Sequence, residues 1–277
     1  MLTRPRLYIR ENGYRLLGRA SLLLGFIFLL APIVLLIVFS FQKNIYFSLP
    51  LQGWTMQWYH QMIYEGVLID AVLNSLKVSL PAATGASIIG FCAAYALNRF
   101  VFPGRLPMAT VLILPILIPP LIMGVALLGL LSRLGLQGEL YSVIIAHTLV
   151  FTAPAMAIIQ LRLAQMPPAL EEAAWDLGAT ELQAVWRVTL RWALPGIGGG
   201  WLLAFTFSFD EFIIAWFVAG FDETLPVAIY NVMMAEHRPS LNAIGTIVFG
   251  LLLLVLLGAE LLIIPLLMRR GAARAAR

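Results

Sequence analysis

The 277-residue chain is 61% hydrophobic and only 12% charged, with a mean hydropathy of +0.91 and a formal net charge of +4. A soluble globular domain does not carry that composition, so the chain reads as an integral membrane protein. Its arginines sit in short segments beside apolar runs and its only lysines are Lys43 and Lys77, which excludes a nucleic-acid-binding stripe. The lone Cys92 excludes an intrachain disulfide or thiolate metal site, and its apolar neighbours predict packing.

In chain order, Arg4, Arg6, Arg10, Arg15 and Arg19 precede an apolar run from Ala20 to Phe41. That run is too long for a signal-peptide core and no small-residue cleavage pattern follows, so it predicts a retained first membrane helix. Before it, Leu7 to Leu17 are expected on the membrane surface, with Tyr8, Ile9 and Leu16 buried and the arginines facing phosphates. Residues 1–19 then form a cytoplasmic or interfacial segment. Further apolar segments at about 71–98, 106–131, 141–161, 193–219 and 242–268 are each long enough to cross a bilayer. The expectation is one all-α integral membrane domain, residues 1–277, with six transmembrane helices.

An even number of spans puts both termini on one face. Arg4 to Arg19, Arg99, Arg105, Arg162, Arg187, Arg191 and Arg269 to Arg277 share it, which predicts that it is cytoplasmic. The other face holds Lys43, Arg133 and Arg238 with Glu65, Asp70, Glu139, Asp222, Glu223 and Glu236. Trp54, Trp58 and Tyr59 in the first external loop are expected as interfacial anchors. Pro32, Pro81, Pro115, Pro119, Pro120, Pro154 and Pro265 lie in or beside the spans and permit kinks.

Between the fourth and fifth spans, Gln165 to Pro195 form an amphipathic, charge-bearing stretch. Pro168 suits a first helical position, Glu171 and Glu172 suit the positive end of a helix dipole, and Gly178 suits a left-handed terminating residue. Thr180 with Gln183 reads as a capping box, followed by apolar residues at helical spacing, Leu182, Val185, Trp186 and Leu190. Two short helices meeting at a glycine hinge are expected. Glu172, Ala173 and Ala174, followed by Gly178, Val188 and Leu190, resemble the EAA loop of permease subunits in binding-protein-dependent ABC importers. The resemblance implies a cytoplasmic coupling loop, residues 162–195, that docks on a separate ATPase subunit through Glu172, Ala173, Ala174 and Gly178. The family usually has proline after that leucine; here the residue is Arg191 and the next proline is Pro195.

No nucleotide-binding loop, HExxH, CxxC or nucleophile elbow occurs, and His60, His147 and His237 lack ligand spacing. The informative intramembrane charges are Asp210 and Glu211, because a carboxylate at membrane depth needs water, a partner or a cargo. Adjacent helical residues cannot both face one lumen, so at most one is expected to touch cargo. The pair can equally serve a partner helix or shape a helix break. Lys77 is expected to snorkel, Glu260 to pair with Arg269 or Arg270, and His147 to be a hydrogen-bonded packing residue or part of a polar lining.

SFDEFIIAWFVAG, TLPVAIYNVM and RPSLNAIGTI, with NSLKVSL, AAYALNRF, PGR and LPILIPPLIMGVALL upstream, resemble the second permease subunit of bacterial spermidine/putrescine importers. The resemblance implies a type I importer permease (MetI-like) fold in a bacterial inner membrane, paired with a second homologous permease. It also implies an ABC ATPase dimer supplying ATP and Mg, and a periplasmic or surface-tethered solute-binding protein. No cofactor is expected in this chain. A polyamine cargo would suit carboxylates and ring faces together, with Asp210, Glu211, Trp201, Trp216 and Tyr230 as candidates. Opines, phosphonates or other small solutes are the alternative cargoes. A membrane-embedded enzyme using Asp210, Glu211 and His147, or an assembly subunit, are the alternative functions.

Overall fold

Peptide groups inside a bilayer have no water to bond, so long apolar segments satisfy them internally as helices. The structure, a computed structural model, describes residues 4–44, 50–65, 67–235, 240–250, 253, 254, 257 and 261. Its elements are α1 (Arg4–Ser40), α2 (Gln57–Glu65), α3 (Val67–Arg99), α4 (Arg105–Leu117), α5 (Pro120–Arg133), α6 (Leu140–Leu163), α7 (Ala169–Asp176) and α8 (Glu181–Ala184). A π-helical turn (Val185–Thr189), α9 (Leu190–Asp210), α10 (Ile213–Val218), α11 (Leu225–Ala235) and α12 (Ser240–Gly250) follow. The chain divides into two compact units, residues 1–65 with 232–277, and residues 66–231.

In the first unit, α1 runs without a break from Arg4, and its membrane-length part, Leu17–Ser40, has a mean hydropathy of 3.1 and is exposed along most of its length, becoming buried only toward Ser40. Its exposed apolar length suits contact with lipid, while toward its end Leu36 packs close to Gly245. The side chains of Tyr8, Ile9 and Leu16 lie outside the described residues, as do Glu260, Arg269 and most of the sixth expected span. Trp58 and Tyr59 depart from the anchor expectation. Trp58 is buried and its indole donates to the Gln42 carbonyl at 2.6 Å, while the Tyr59 and Ser40 hydroxyls meet at 2.6 Å. Both rings therefore brace the chain where it leaves α1, and Trp54 is the one of the three left exposed.

The second unit is built on α6, which packs on both α3 and α9, themselves in mutual contact, and has 67% of its most apolar window buried. Its core combines Val143, Ala146, Val150 and Ala155 of α6 with Val78, Ala83 and Ala86 of α3 and Ala204 of α9. Small residues let the backbones approach closely. A Cβ at Gly90 would lie 3.0 Å from the Met156 nitrogen, and one at Gly200 would lie 2.9 Å from the Ala155 oxygen.

Two expected spans are interrupted. The third bends by 108° between α4 and α5, where Ile118 is extended and Pro119 and Pro120 have no amide to continue the ladder. The fifth ends at Asp210, because Glu211 is extended, and resumes as the short α10. The second hairpin helix does not stop as a separate element: it passes through the π-helical turn into α9, with Pro195 inside α9, so the chain is helical from Glu181 to Asp210. Arg191 in place of proline keeps the amide needed for that continuity. Cys92 is exposed instead of packed, because its side of α3 faces away from α6 onto an apolar cleft.

Candidate functional site

The hairpin starts from sequence-local chemistry. At the end of α7 the Gly178 amide donates to the Trp175 carbonyl at 2.8 Å and the Ala179 amide donates to the Ala174 carbonyl at 3.0 Å. This Schellman closure needs a left-handed residue, and Gly178 has φ +83°. Two residues later the Thr180 hydroxyl accepts from the Gln183 amide at 3.3 Å and the Gln183 side chain accepts from the Thr180 amide at 3.2 Å. The turn between the helices is thus specified at both ends. Glu172, Ala173 and Gly178 are exposed and Ala174 is half-buried; Leu177, Leu182 and Trp186 stand 89%, 68% and 62% exposed beside them. The hairpin therefore shows apolar side chains interspersed with the exposed carboxylates of Glu172, Asp176 and Glu181, a surface suited to a protein partner.

What holds the hairpin is Glu171, the neighbour of the motif glutamate. Its carboxylate is 2.8 Å from Nε of Arg99 at the end of α3 and accepts from the Thr189 hydroxyl in the π-helical turn. The Arg99 guanidinium also lies over the Trp175 ring, 5.0 Å from its centroid. Beside this group, Arg162 of α6 donates to the Trp192 carbonyl, the Trp192 indole donates to the Arg162 carbonyl, each at 3.1 Å, and the guanidinium lies 4.3 Å from the indole centroid. The ends of α3, α6 and α9 thus meet around the hairpin. Sequence reasoning placed Glu171 only at a helix dipole and left Arg99 as a topology marker, since pairing across 72 positions leaves no local pattern.

At the α9–α10 break the adjacent acids part company. Glu211 turns inward: its carboxylate accepts from the Ile214 and Ala215 amides, both at 2.9 Å, and caps α10. One of its oxygens lies 3.4 Å from His147 Nε2, outside hydrogen-bond geometry. His147 is fully buried, and its Nδ1 lies 2.8 Å from the Ser208 hydroxyl. Asp210 is exposed, with no hydrogen-bond or ion-pair partner among the described residues.

Beyond the break, Phe212, Trp216 and Tyr230 form one aromatic group, with centroids 4.8 Å apart for Phe212 and Tyr230 and 6.4 Å for Trp216 and Tyr230. Trp201 is not part of it. It lies nine residues before Asp210, about 13 Å along the helix. There it donates to the Thr84 hydroxyl at 3.0 Å, stacks on Phe205 and lines an apolar cleft of about 630 Å³ with Ile88, Phe91 and Trp186. Farther on, Asn231 donates to the Glu223 carboxylate at 2.6 Å, Asn74 donates to the Glu223 carbonyl at 3.3 Å, and the Leu225 amide donates to the Ser75 hydroxyl at 2.8 Å. Those bonds fix the loop before α11 to the start of α3. Lys77 is exposed and donates to Asn74 at 3.1 Å.

Ser208, His147 and Glu211 together have the residue types of a hydrolytic triad, yet Ser208 and His147 are buried in the helix packing. No reacting group can reach the hydroxyl, so the constellation is a structural polar cluster.

Residues 86–269 match the family described as binding-protein-dependent transport system inner membrane component. The putrescine transport system permease protein PotI of Escherichia coli (strain K12) is 36% identical over 237 residues, 83% of this chain and 84% of that protein. The spermidine/putrescine transport system permease protein PotC of Haemophilus influenzae is 33% identical over 248 residues, 89% of this chain and 96% of that protein. A sulfate transport system permease protein, CysT of Salmonella typhimurium, is 30% identical over 264 residues, 88% of this chain and 90% of that protein. Among solved structures, a bacterial alginate ABC transporter in complex with a pentasaccharide-bound periplasmic protein has a chain that matches with a TM-score of 0.71 at 18% identity, covering 92% of this chain and 95% of that one. With its long apolar helices and its outward-facing hairpin, the chain belongs to the binding-protein-dependent transport system inner membrane components, as a multi-pass bacterial inner-membrane permease subunit similar to those of the putrescine and spermidine/putrescine systems.

Proposed function

We propose that the chain forms part of the translocation path of an ATP-driven importer, crossing the membrane six times with both termini in the cytoplasm. The hairpin, within residues 162–195, docks on an ABC ATPase dimer that binds ATP and Mg, and a second homologous permease completes the pore. A periplasmic or surface-tethered solute-binding protein delivers cargo. The observation that carries this reading is the Schellman-capped hairpin presenting Glu172, Ala173 and Leu177 outward from a braced base.

The cargo is a polyamine, taken along a path that includes Asp210. Support comes from the relatives' names and from an exposed carboxylate that no cation among the described residues neutralises, an arrangement that attracts ammonium groups and repels an anion such as sulfate. Trp216 and Tyr230 offer ring faces for the same cation. Glu211 and Trp201 are engaged in internal hydrogen bonds, and in this reading they support the path without binding cargo.

The test is ATP hydrolysis by the full complex in lipid, with its solute-binding protein, across spermidine, putrescine, an opine, a phosphonate, sulfate and no ligand. Stimulation by the polyamines alone is expected. Stimulation by another solute would discard the cargo and keep the transport mechanism; normal uptake by assembled Glu172→Lys and Gly178→Leu complexes would discard the role of the hairpin.

A further inference from the structure

A hairpin that receives force from a partner must pass it on through something stiffer than a flexible loop. Toward α9 the connection is covalent and helical, from Glu181 through the π-helical turn to Asp210. Toward α3 there is no chain connection, because α3 ends at Arg99, 72 residues before Glu171. The direct link on that side is made at Arg99, where one carboxylate supplies the charged contact. Glu171 is buried while its neighbour Glu172 is exposed, and it holds Arg99 of α3 at 2.8 Å with one oxygen and the Thr189 hydroxyl with the other.

The π-helical turn is part of this arrangement. Widening the helix over Val185–Thr189 changes the phase of the residues that follow, and Thr189, at its last position, is buried against Glu171. Trp175, one turn beyond Glu171 on α7, stacks on the same guanidinium, so Arg99 is gripped by two side chains of one short helix. A cation of fixed charge, a buried carboxylate and an aromatic face resist separation more than apolar contacts do, since an opened gap leaves a charge without its partner.

We propose that Glu171 is the positioning residue that fastens the hairpin to α3, so that displacement of the hairpin moves α3 and α9 together. The proposal rests on the coupling reading given above. It assigns distinct roles to consecutive acids: Glu172 faces the ATPase subunit, and Glu171 transmits what happens there. Without the Glu171–Arg99 contact, the hairpin acts on α3 only indirectly, through α9, which packs on α3 and donates from Trp201 to Thr84.

The test uses the full chain in lipid, in a Cys92→Ala background, with spin labels on cysteines at Val101, beyond α3, and Leu177, at the hairpin tip. Both positions are about nine-tenths exposed. The wild-type pair should give a narrow distance distribution, and Glu171→Gln should broaden it. The exchanged pair Arg99→Glu with Glu171→Arg should narrow it again, and Thr189→Val should give an intermediate width. In the assembled complex Glu171→Gln should keep its ATPase subunits through co-purification, while stimulation of hydrolysis by the loaded binding protein falls about tenfold, within the usual range of site-to-site coupling. The exchanged pair should recover most of that stimulation.

An unchanged distance distribution in Glu171→Gln would overturn the fastening role. A broadened distribution with full stimulation and uptake would overturn the transmission role, and loss of the ATPase subunits from the variant would make Glu171 a docking residue instead. A wild-type chain that recruits no ATPase subunit would overturn the coupling reading itself, and the transmission role with it, whatever the labels show.

Discussion

Glu171 and Glu172 at the hairpin, and Asp210 and Glu211 at the α9–α10 break, are two pairs of neighbouring acids placed at element boundaries. In each pair one carboxylate turns inward and the other stays in the open: at the hairpin because successive helical residues project about 100° apart, and at the break because Glu211 is extended where Asp210 is still helical. The means differ. Glu171 reaches a guanidinium from another part of the chain, whereas Glu211 reaches the two amides that open its own next helix and a histidine across the interface. The first acid joins elements; the second ends one helix and starts another. A doubled acid in such a chain therefore reads as one internal support and one outward group, and the support is recognised by what it would leave unpaired.

Removing the internal supports tests that division most severely. Glu211→Ala strips two amides of their acceptor in a water-poor interior, and is expected to lower the unfolding stability of the purified chain by about 3 kcal/mol. Glu211→Gln keeps an acceptor and should lose about half as much. Asp210→Ala should cost less than about 0.5 kcal/mol, as a surface substitution does, while reducing uptake of a cationic cargo. Equal destabilisation by Asp210→Ala and Glu211→Ala in thermal unfolding would erase the difference between the two acids.

The hairpin pair should show the same asymmetry at smaller amplitude. Glu171→Ala breaks a contact whose carboxylate is buried but whose Arg99 partner is 37% exposed, so the freed cation regains water and the loss falls to about 2 kcal/mol. Glu172→Ala should cost less than about 0.5 kcal/mol in the isolated chain. If Glu172→Ala destabilised the isolated chain as much as Glu171→Ala, the outward carboxylate would have an internal role.

Much of this was legible in the residues because it is local. Hydropathy marks the apolar runs, the Gly178 stop and the Thr180 box are set by residues within four positions, and a doubled acid announces an element boundary. The rest depends on partners distant in sequence. Arg99 with Glu171, His147 with Ser208 and Trp201 with Thr84 are separated by 72, 61 and 117 positions, and no spacing rule reaches that far. The breaks at Pro119 and Glu211 are signalled by a kink-permitting proline and by an acid pair able to shape a helix break, yet each segment still reads as one span. Hydropathy averages over a window and sees an apolar segment on both sides of a residue whose backbone leaves the helix. The motif pointed to Glu172 and the structure adds its neighbour, since the residue that supports a surface need not lie on it.

Gly178 sharpens the comparison at the smallest amplitude, because it separates a backbone requirement from a surface requirement. Its φ of +83° penalises any side chain, yet a Cβ placed there meets no atom within 4 Å, so Gly178→Ala should cost about 1 kcal/mol from backbone conformation alone. Asparagine adopts the left-handed region more readily, so Gly178→Asn should recover most of that stability. The two variants then differ in shape only beyond the backbone. If Gly178→Asn restores uptake as well as stability, the glycine serves the turn, and the partner reads Glu172, Ala173 and Leu177 around it. If Gly178→Asn is stable, assembled and still inactive, the bare backbone at position 178 is itself part of the docking surface, and the hairpin tip, like Glu172, belongs to the outward half of the division.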